Sequence, residues 1–173
     1  MSLIRLASPR ATRALGRRLG ALLRAGDFVA LAGDLGAGKT LLARGVAEGA
    51  GVPEGEGVGS PTFAIVNLYR GGRVPVQHFD LYRIASPAEL YALGFADLLA
   101  EPAAALCEWP ERAGPALPAD RLHIELRVTG PRSREAALAA TGPRSQALLS
   151  ALSAPKRKKQ DAPQRAQRSR RKS

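Results

Sequence analysis

The sequence predicts an α/β fold with a mixed sheet. A short apolar run at 28–32 precedes a glycine-rich loop, and a helical pattern follows that loop. This order of strand, loop and helix is typical of α/β proteins. Two further apolar runs, on either side of Gly71-Gly72, predict an antiparallel hairpin, which argues against a fully parallel sheet. The 173 residues suit one domain, and the aliphatic content is ample for its core.

Positive charge is concentrated at the C-terminus. The segment from Ala154 onward holds nine basic residues and one acidic residue, and so carries eight of the eleven net positive charges. It has no apolar periodicity, which predicts a domain at 1–152 and a basic, disordered tail at 153–173. Clustered Lys and Arg attract polyanions such as RNA, while a merely solvated tail is an equal alternative.

Composition also limits the class of protein. No stretch approaches the length of a membrane span, and the N-terminus lacks a secretory apolar region, so we expect a cytoplasmic protein. Cys107 is the only cysteine, which excludes an intramolecular disulfide. Its apolar neighbours predict a buried, inert thiol.

The first elements follow from caps and periodicity. Ser8-Pro9 is typical of a helix start, and apolar residues then recur at helical spacing until Gly26-Asp27. This amphipathic helix should pack on the sheet beside the strand at 28–32. The helix after the glycine loop should cover 41–48 and stop at Gly49 and Gly51.

The glycine loop has the pattern of a phosphate-binding loop. It reads Gly33-Asp34-Leu35-Gly36-Ala37-Gly38-Lys39-Thr40. Its glycines allow backbone amides to face a phosphate, and a following helix directs its positive dipole end there. Lys39 can reach the β- and γ-phosphates, and the Thr40 hydroxyl can ligate Mg²⁺. The loop therefore predicts nucleotide binding through all eight residues.

A candidate switch segment comes next. Residues 52–59 are rich in Gly and Glu and predict a mobile loop, which ends at Ser60-Pro61-Thr62-Phe63. A hydroxyl residue such as Thr62 near a γ-phosphate is typical of nucleotide switches, although an ordinary junction is equally consistent with the spacing. Strands at 63–69 and 74–79 should flank the hairpin turn.

Two acidic residues stand at predicted strand ends. Asp80 can contact Mg²⁺ through water or orient an attacking water, unless it only caps a turn. Glu108 directly follows an apolar strand, as the metal-side acid of phosphate-loop proteins does, unless it is a surface residue. Trp109 can lie near the nucleotide or pack at the rim. His78 alternates with Asp80, but a single histidine is more often structural and receives no predicted role.

Further elements complete the predicted sheet and its helices. Ser86-Pro87-Ala88-Glu89 has a capping-box pattern and predicts a helix through 93, followed by a short helical piece at 95–99. The remaining predicted elements are strands at 103–107, 122–128 and 134–140 and a closing helix at 145–152.

Four sequence blocks together resemble one family. They are the glycine loop, the Ser60 to Phe63 block, His78-Phe79-Asp80-Leu81-Tyr82-Arg83, and Glu108-Trp109-Pro110-Glu111-Arg112. In order and spacing they are similar to the TsaE (YjeE) family, the bacterial ATPases of tRNA threonylcarbamoyladenosine synthesis. The resemblance covers roughly 12–128 and leaves the basic tail outside.

This resemblance implies a P-loop NTPase-like three-layer α/β fold, with central parallel strands flanked by antiparallel ones. It implies slow ATP hydrolysis with Mg²⁺ and partnership with TsaB and TsaD, in which the protein resets the complex and does not transfer the threonylcarbamoyl group. Thr40 and Glu108 would hold Mg²⁺, while Lys39 would hold phosphates. Asp80 would support hydrolysis, and Thr62 and Trp109 would lie at the nucleotide.

Two other functions share these features. A small-molecule kinase also uses a phosphate loop, but it needs an acceptor pocket and usually an arginine-rich lid, and no such lid follows Glu108. A nucleotide-gated binding module would use ATP for assembly and not for chemistry. The absence of an Asn-Lys-x-Asp guanine signature mildly supports ATP over GTP.

Overall fold

The structure is a computed structural model that describes residues 2–53 and 57–154. These residues form one seven-stranded sheet and five α-helices. The strands are β1 (Ser2–Leu6), β2 (Phe28–Ala32), β3 (Val66–Tyr69), β4 (Val76–Asp80), β5 (Ala104–Glu108), β6 (Leu122–Val128) and β7 (Arg134–Ala140). The helices are α1 (Pro9–Gly20), α2 (Lys39–Gly49), α3 (Pro87–Ala92), α4 (Phe95–Ala100) and α5 (Pro143–Ser153). Short 3-10 helices follow β5 at Pro110–Arg112 and Gly114–Ala116.

The sheet is mixed, which confirms the predicted fold class. The strand order is β1-β7-β6-β2-β5-β4-β3. The four central strands β6, β2, β5 and β4 are mutually parallel. Antiparallel β3 closes one edge, and β7 and β1 pair antiparallel at the other. Parallel strands end at the same edge of a sheet, so the loop after β2 meets the ends of β4 and β5.

The fold has three layers, with helices on both faces of the sheet and one apolar core between the sheet and each helical layer. One core joins the sheet to α1, α2 and α5, and the other joins the opposite face to α3 and α4. Alternate residues of one strand serve different cores, as β2 illustrates with Leu31 in the first and Ala30 in the second. This alternation explains the uninterrupted apolar run in β2, because a central parallel strand is covered on both faces.

Helices α1 and α2 approach until their backbones touch. Each carries two glycines four residues apart, namely Gly16 and Gly20 on α1 and Gly45 and Gly49 on α2. A Cβ atom added at Gly16 would lie 2.4 Å from the Leu42 carbonyl oxygen, and one at Gly45 would lie 2.3 Å from that of Arg13. Only glycine allows this contact, which fixes the helix that begins at the glycine loop.

Two predicted boundaries were wrong. The strand predicted at 63–69 begins only at Val66, because the amides of Ala64 and Ile65 both donate to the Pro61 carbonyl and form a turn. Helix α1 ends at Gly20 and not near Gly26. The Arg73 guanidinium donates a hydrogen bond to the Gly20 carbonyl at this end of the helix.

The remaining predicted elements are present within one or two residues of their predicted ends, and β1 is an additional strand that sequence reasoning missed. Cys107 is fully buried as expected, and burial raises the pKa of its thiol far above the usual range. None of the helices in the described ranges combines the length and apolar character needed to cross a membrane. The basic tail is predicted at 153–173, and its residues from 155 onward lie outside the described ranges.

Candidate functional site

The glycine loop joins the end of β2 to the start of α2. Its backbone bends through the left-handed region at Gly33, Gly36 and Gly38. At Gly33 a side chain is also excluded by space, since a Cβ atom would lie 2.4 Å from the Leu126 carbonyl oxygen of β6. The loop is therefore held against the sheet, and the first turn of α2, whose amides have no partner within a helix, follows it directly.

Lys39 is folded back onto the loop that carries it. Its Nζ donates to the carbonyl oxygens of Gly33 at 2.6 Å and Asp34 at 2.9 Å, and only 4% of the residue is exposed. The same Nζ lies 3.8 Å from the centroid of the Trp109 ring. Desolvation lowers the pKa of Lys39, while nearby carboxylates, led by Glu108, act in the opposite direction.

Glu108 ends β5 directly beside the glycine loop. Its carboxylate is buried and accepts from the Thr40 hydroxyl, with Oγ1 at 3.1 Å from Oε1 and 3.3 Å from Oε2. His78 of β4 contacts the same carboxylate, with Nε2 at 2.9 Å from Oε1. The carboxylate and the hydroxyl together offer oxygen donors, which hard cations such as Mg²⁺ prefer.

Asp80 ends β4 opposite Glu108 in the strand register and anchors the switch segment. Its Oδ2 accepts from the hydroxyls of Ser60 and Thr62, the latter at 2.8 Å, and its Oδ1 accepts from the Tyr82 amide at 3.0 Å. The Asp80 amide donates to the carbonyl of Ile65, a residue with φ of 66°. The turn at 61–65 is thus attached to β4 by side chains and by backbone.

A cleft of about 440 Å³ opens between these groups. Most residues predicted for the site line it, and the lining set is Leu35, Gly36, Gly38, Lys39, Thr40, Leu41, Ser60, Thr62, Asp80, Tyr82, Glu108 and Trp109. Three predicted binding residues do not line the cleft. Gly33 and Asp34 present their carbonyls to Lys39, and Ala37 is a buried residue within the loop.

Sequence reasoning missed four residues of this region. Ser60 has no predicted role of its own, and the pattern favours a structural His78 although its alternation with Asp80 puts both on one face of β4. Tyr82 packs its ring against Trp109 with centroids 5.0 Å apart. Arg134 at the start of β7 donates to the Ala37 carbonyl at 3.0 Å and the Gly36 carbonyl at 3.3 Å. No local sequence signal connects Arg134 to a loop almost a hundred residues earlier.

The fold and the loop define the class of this protein, an α/β protein whose phosphate-loop sequence joins a central parallel strand to a helix. The family model described as "Threonylcarbamoyl adenosine biosynthesis protein TsaE" matches residues 6–136. The chain belongs to the TsaE family, which confirms the resemblance drawn from its sequence blocks.

Individual relatives support this assignment. The tRNA threonylcarbamoyladenosine biosynthesis protein TsaE of Bacillus subtilis is 36% identical over 149 residues, which cover 86% of this chain and 92% of the relative. The protein of the same name from Streptomyces coelicolor is 40% identical, over 71% of this chain and 84% of the relative. The crystal structure of Bacillus subtilis YdiB superposes with a TM-score of 0.76 at 33% identity, covering 88% of this chain and 93% of that chain.

Proposed function

We propose that this protein binds ATP with Mg²⁺ and hydrolyses it slowly, as a component of the machinery that makes threonylcarbamoyladenosine in tRNA. The observation that carries the proposal is the convergence of Lys39, Thr40 and Glu108 in one cleft at a phosphate-loop sequence. The family names of the relatives support the pathway.

The residues present fit a magnesium nucleotide. Within the described ranges, no group of three or more His, Cys, Asp or Glu side chains could hold a metal by itself. A nucleotide-bound Mg²⁺ needs no such group, because it usually takes one or two protein oxygens and completes its shell with phosphate and water. The Thr40 hydroxyl and the Glu108 carboxylate, 3.1 Å apart, are suited to that role.

The lysine contacts also fit an anionic ligand. The Nζ of Lys39 donates to two loop carbonyls and lies over the Trp109 ring, so the loop itself holds the positively charged ammonium group in place. Phosphate oxygens are stronger acceptors than these carbonyls, and the dipole of α2 adds to the attraction. We assign Lys39 and the loop amides to the β- and γ-phosphates.

We propose that the adenine base lies on the β7 side of the glycine loop. Thr40, Glu108 and Asp80 all lie towards β5 and β4, so the terminal phosphate must point that way. Towards β7, a second hollow of about 420 Å³ is lined in part by Leu6, Thr129 and Arg134. Arg134 also contacts the loop, so the hollow adjoins the phosphate site and is suited to the adenosine end.

Hydrolysis by this chain alone should be weak. Asp80 is the carboxylate suited to orient an attacking water, yet its Oδ2 already accepts from Ser60 and Thr62. We propose that TsaB and TsaD reposition this segment, that they accelerate turnover, and that hydrolysis resets the complex between modification cycles. Binding of Mg²⁺ would neutralise charge on the transferring phosphoryl group, while the chain positions its substrate.

The direct test is ATP hydrolysis by the pure protein, alone and with TsaB and TsaD in the presence of Mg²⁺. We expect low basal turnover that the pair stimulates, and loss of that activity in Lys39→Ala and Glu108→Ala. Glu101→Ala is a matched control, because Glu101 is an exposed acid near the start of β5 that lies outside the cleft lining and is not among the carboxylates acting on Lys39. Fast turnover without partners, or transfer of the phosphate to an acceptor other than water, would contradict the proposal.

One observation favours a second function, a nucleotide-gated binding module. The hydrogen bonds that occupy Asp80 leave its role in chemistry dependent on a rearrangement. If Asp80→Asn abolishes hydrolysis and leaves tRNA modification intact in cells, assembly and not turnover is the function of nucleotide binding.

A further inference from the structure

His78 is a buried polar residue that the proposed function leaves without a role. It lies on the central part of β4 with no exposed surface. Its Nε2 lies 2.9 Å from Oε1 of Glu108. Its Nδ1 has no hydrogen-bond partner in the part of the chain that the structure describes. Among the described residues, the Glu108 carboxylate is therefore the one hydrogen-bond partner of the ring.

The orientation of that carboxylate depends on two donors. Glu108 is 2% exposed, and two side chains of the protein contact its carboxylate. Thr40 approaches from α2 and His78 approaches from β4, the neighbouring strand. The Thr40 hydroxyl has lone pairs for a metal and one O–H for the carboxylate, so as a metal ligand it would serve the cation and Glu108 at once. His78 is the contact to this carboxylate that lies outside the phosphate loop and its helix.

We propose that His78 is a positioning residue that fixes the Glu108 carboxylate for the divalent cation of the nucleotide. In this geometry the Nε2–H would donate to Oε1, and the carboxylate so held would offer an oxygen to the cation. The inference rests on the proposed magnesium nucleotide site and adds to it the residue that orders its acidic ligand. Groups that hold a metal ligand in this way typically change metal affinity about 10- to 100-fold when they are replaced.

The alternative is a histidine that only fills the core. The two roles differ in what a substitution changes, because loss of packing lowers stability while loss of the donor lowers cation affinity. Val76 offers the matched control, since it lies on the same strand and the same face and is equally buried. Val76→Ala removes packing next to the site without removing a hydrogen bond to Glu108.

The experiment measures Mn²⁺ binding to the full chain in the presence of ADP, by loss of the free Mn²⁺ electron paramagnetic resonance signal. Carboxylate and water sites that take Mg²⁺ also take Mn²⁺. His78→Asn shortens the side chain so that its amide no longer reaches Glu108, whereas His78→Gln can place an N–H near the Nε2 position. We expect the Kd for Mn²⁺ to rise about 10- to 100-fold in His78→Asn and to stay near wild type in His78→Gln and Val76→Ala.

Nucleotide affinity without cation provides the second arm. With EDTA present, all three variants should bind ADP as the wild type does, since Lys39 and the loop are untouched. The idea fails if His78→Asn binds Mn²⁺ normally, if His78→Gln is as defective as His78→Asn, or if ADP binding in EDTA falls in parallel. If the wild type itself does not bind Mn²⁺ with ADP, the proposed function fails instead.

A measurement on the chain with His78 intact does not depend on how the His78 variants fold. The imidazole ¹⁵N spectrum of the wild type with Mg²⁺ and ADP should show a proton on Nε2 of His78. The chain has two histidines, so His123→Gln assigns the signals. A ring with Nε2 unprotonated cannot donate to Glu108 and would overturn the inference.

Discussion

The contact between α1 and α2 allows one substitution to be worked through in detail. In an ordinary helix interior, Gly→Ala stabilises a protein by roughly 0.5–1 kcal/mol because it removes the conformational cost of glycine. At Gly16 the structure predicts the opposite sign. The new Cβ atom would lie 2.4 Å from the Leu42 carbonyl oxygen and 2.9 Å from both the Gly45 Cα and the Val46 amide nitrogen.

The size of the effect follows from those three distances. All three neighbours are backbone atoms, so no side chain can turn away and the helices themselves must separate. Overpacking of this kind typically costs about 1–3 kcal/mol, and a backbone obstacle places Gly16→Ala at the upper end. For a domain of this size, a net loss of about 2–3 kcal/mol lowers Tm by roughly 5–10 °C. Because α2 begins at Lys39, we also expect weaker nucleotide binding.

Thermal unfolding followed by circular dichroism measures this directly. Ala14→Gly is the reference, because Ala14 is exposed on the same helix and its replacement should cost only the propensity difference of roughly 0.5–1 kcal/mol. A Gly16→Ala protein with an unchanged or higher Tm would refute the argument that backbone contact sets the spacing of these helices.

Four further predictions concern the site, acid stability and the tail. Asp80→Asn should lower ATP turnover by about 100-fold or more while the Kd for nucleotide stays within a few-fold, since this group is assigned to chemistry and not to binding. Arg134→Ala should weaken nucleotide binding measurably, because the carbonyls of Gly36 and Ala37 lose the donor that orders the loop. Hydrogen bonding from Arg13 lowers the pKa of Glu48 in the folded protein, so Glu48 stabilises the fold above its unfolded pKa of about 4.3 and loses this effect as pH falls through the lowered value. The unfolding free energies of wild type and Glu48→Gln, measured in urea, should therefore differ at pH 7 and converge in acid. Removal of 155–173 should leave basal hydrolysis intact and weaken salt-sensitive tRNA binding.

Each of these outcomes has a contrary result. Equal loss of turnover and nucleotide affinity in Asp80→Asn would make that residue part of the binding site. Full affinity in Arg134→Ala would show that the loop keeps its shape without the guanidinium. A constant difference between wild type and Glu48→Gln across the pH range would remove Glu48 from acid stability. Unchanged tRNA affinity at low salt after truncation would leave the tail without a role in RNA binding.

Local sequence patterns predicted most of the fold, and the main error in a strand lies where a tertiary contact is made. Caps and periodicity located α2, α3 and α5 because each depends on residues within one or two turns. The strand predicted at 63–69 begins only at Val66, after the turn closed on the Pro61 carbonyl, and Asp80 holds Ser60 and Thr62 beside that turn. The apolar pattern alone could not anticipate a hydrogen bond made 18 residues away.

The predicted site residues belong to two kinds. Lys39 and Thr40 were found because the glycine loop is continuous in sequence, and its chemistry depends on neighbouring backbone amides. Asp80 and Glu108 were found as acids at strand ends, where the edge of a parallel sheet collects them. Arg134 was missed because it reaches the loop only through the pairing of β7 with β6.

The sequence by itself determined the phosphate-loop unit, the mixed sheet and the family, because these depend on residue order and spacing along the chain. Only the tertiary structure decided that Ser60 and Thr62 hold Asp80, that His78 contacts Glu108, and that four glycines bring α1 against the helix of the loop. The physical reason is the same in each case. Hydrogen bonds and steric exclusion act over a few ångströms, and strand pairing and helix packing bring distant segments within that range.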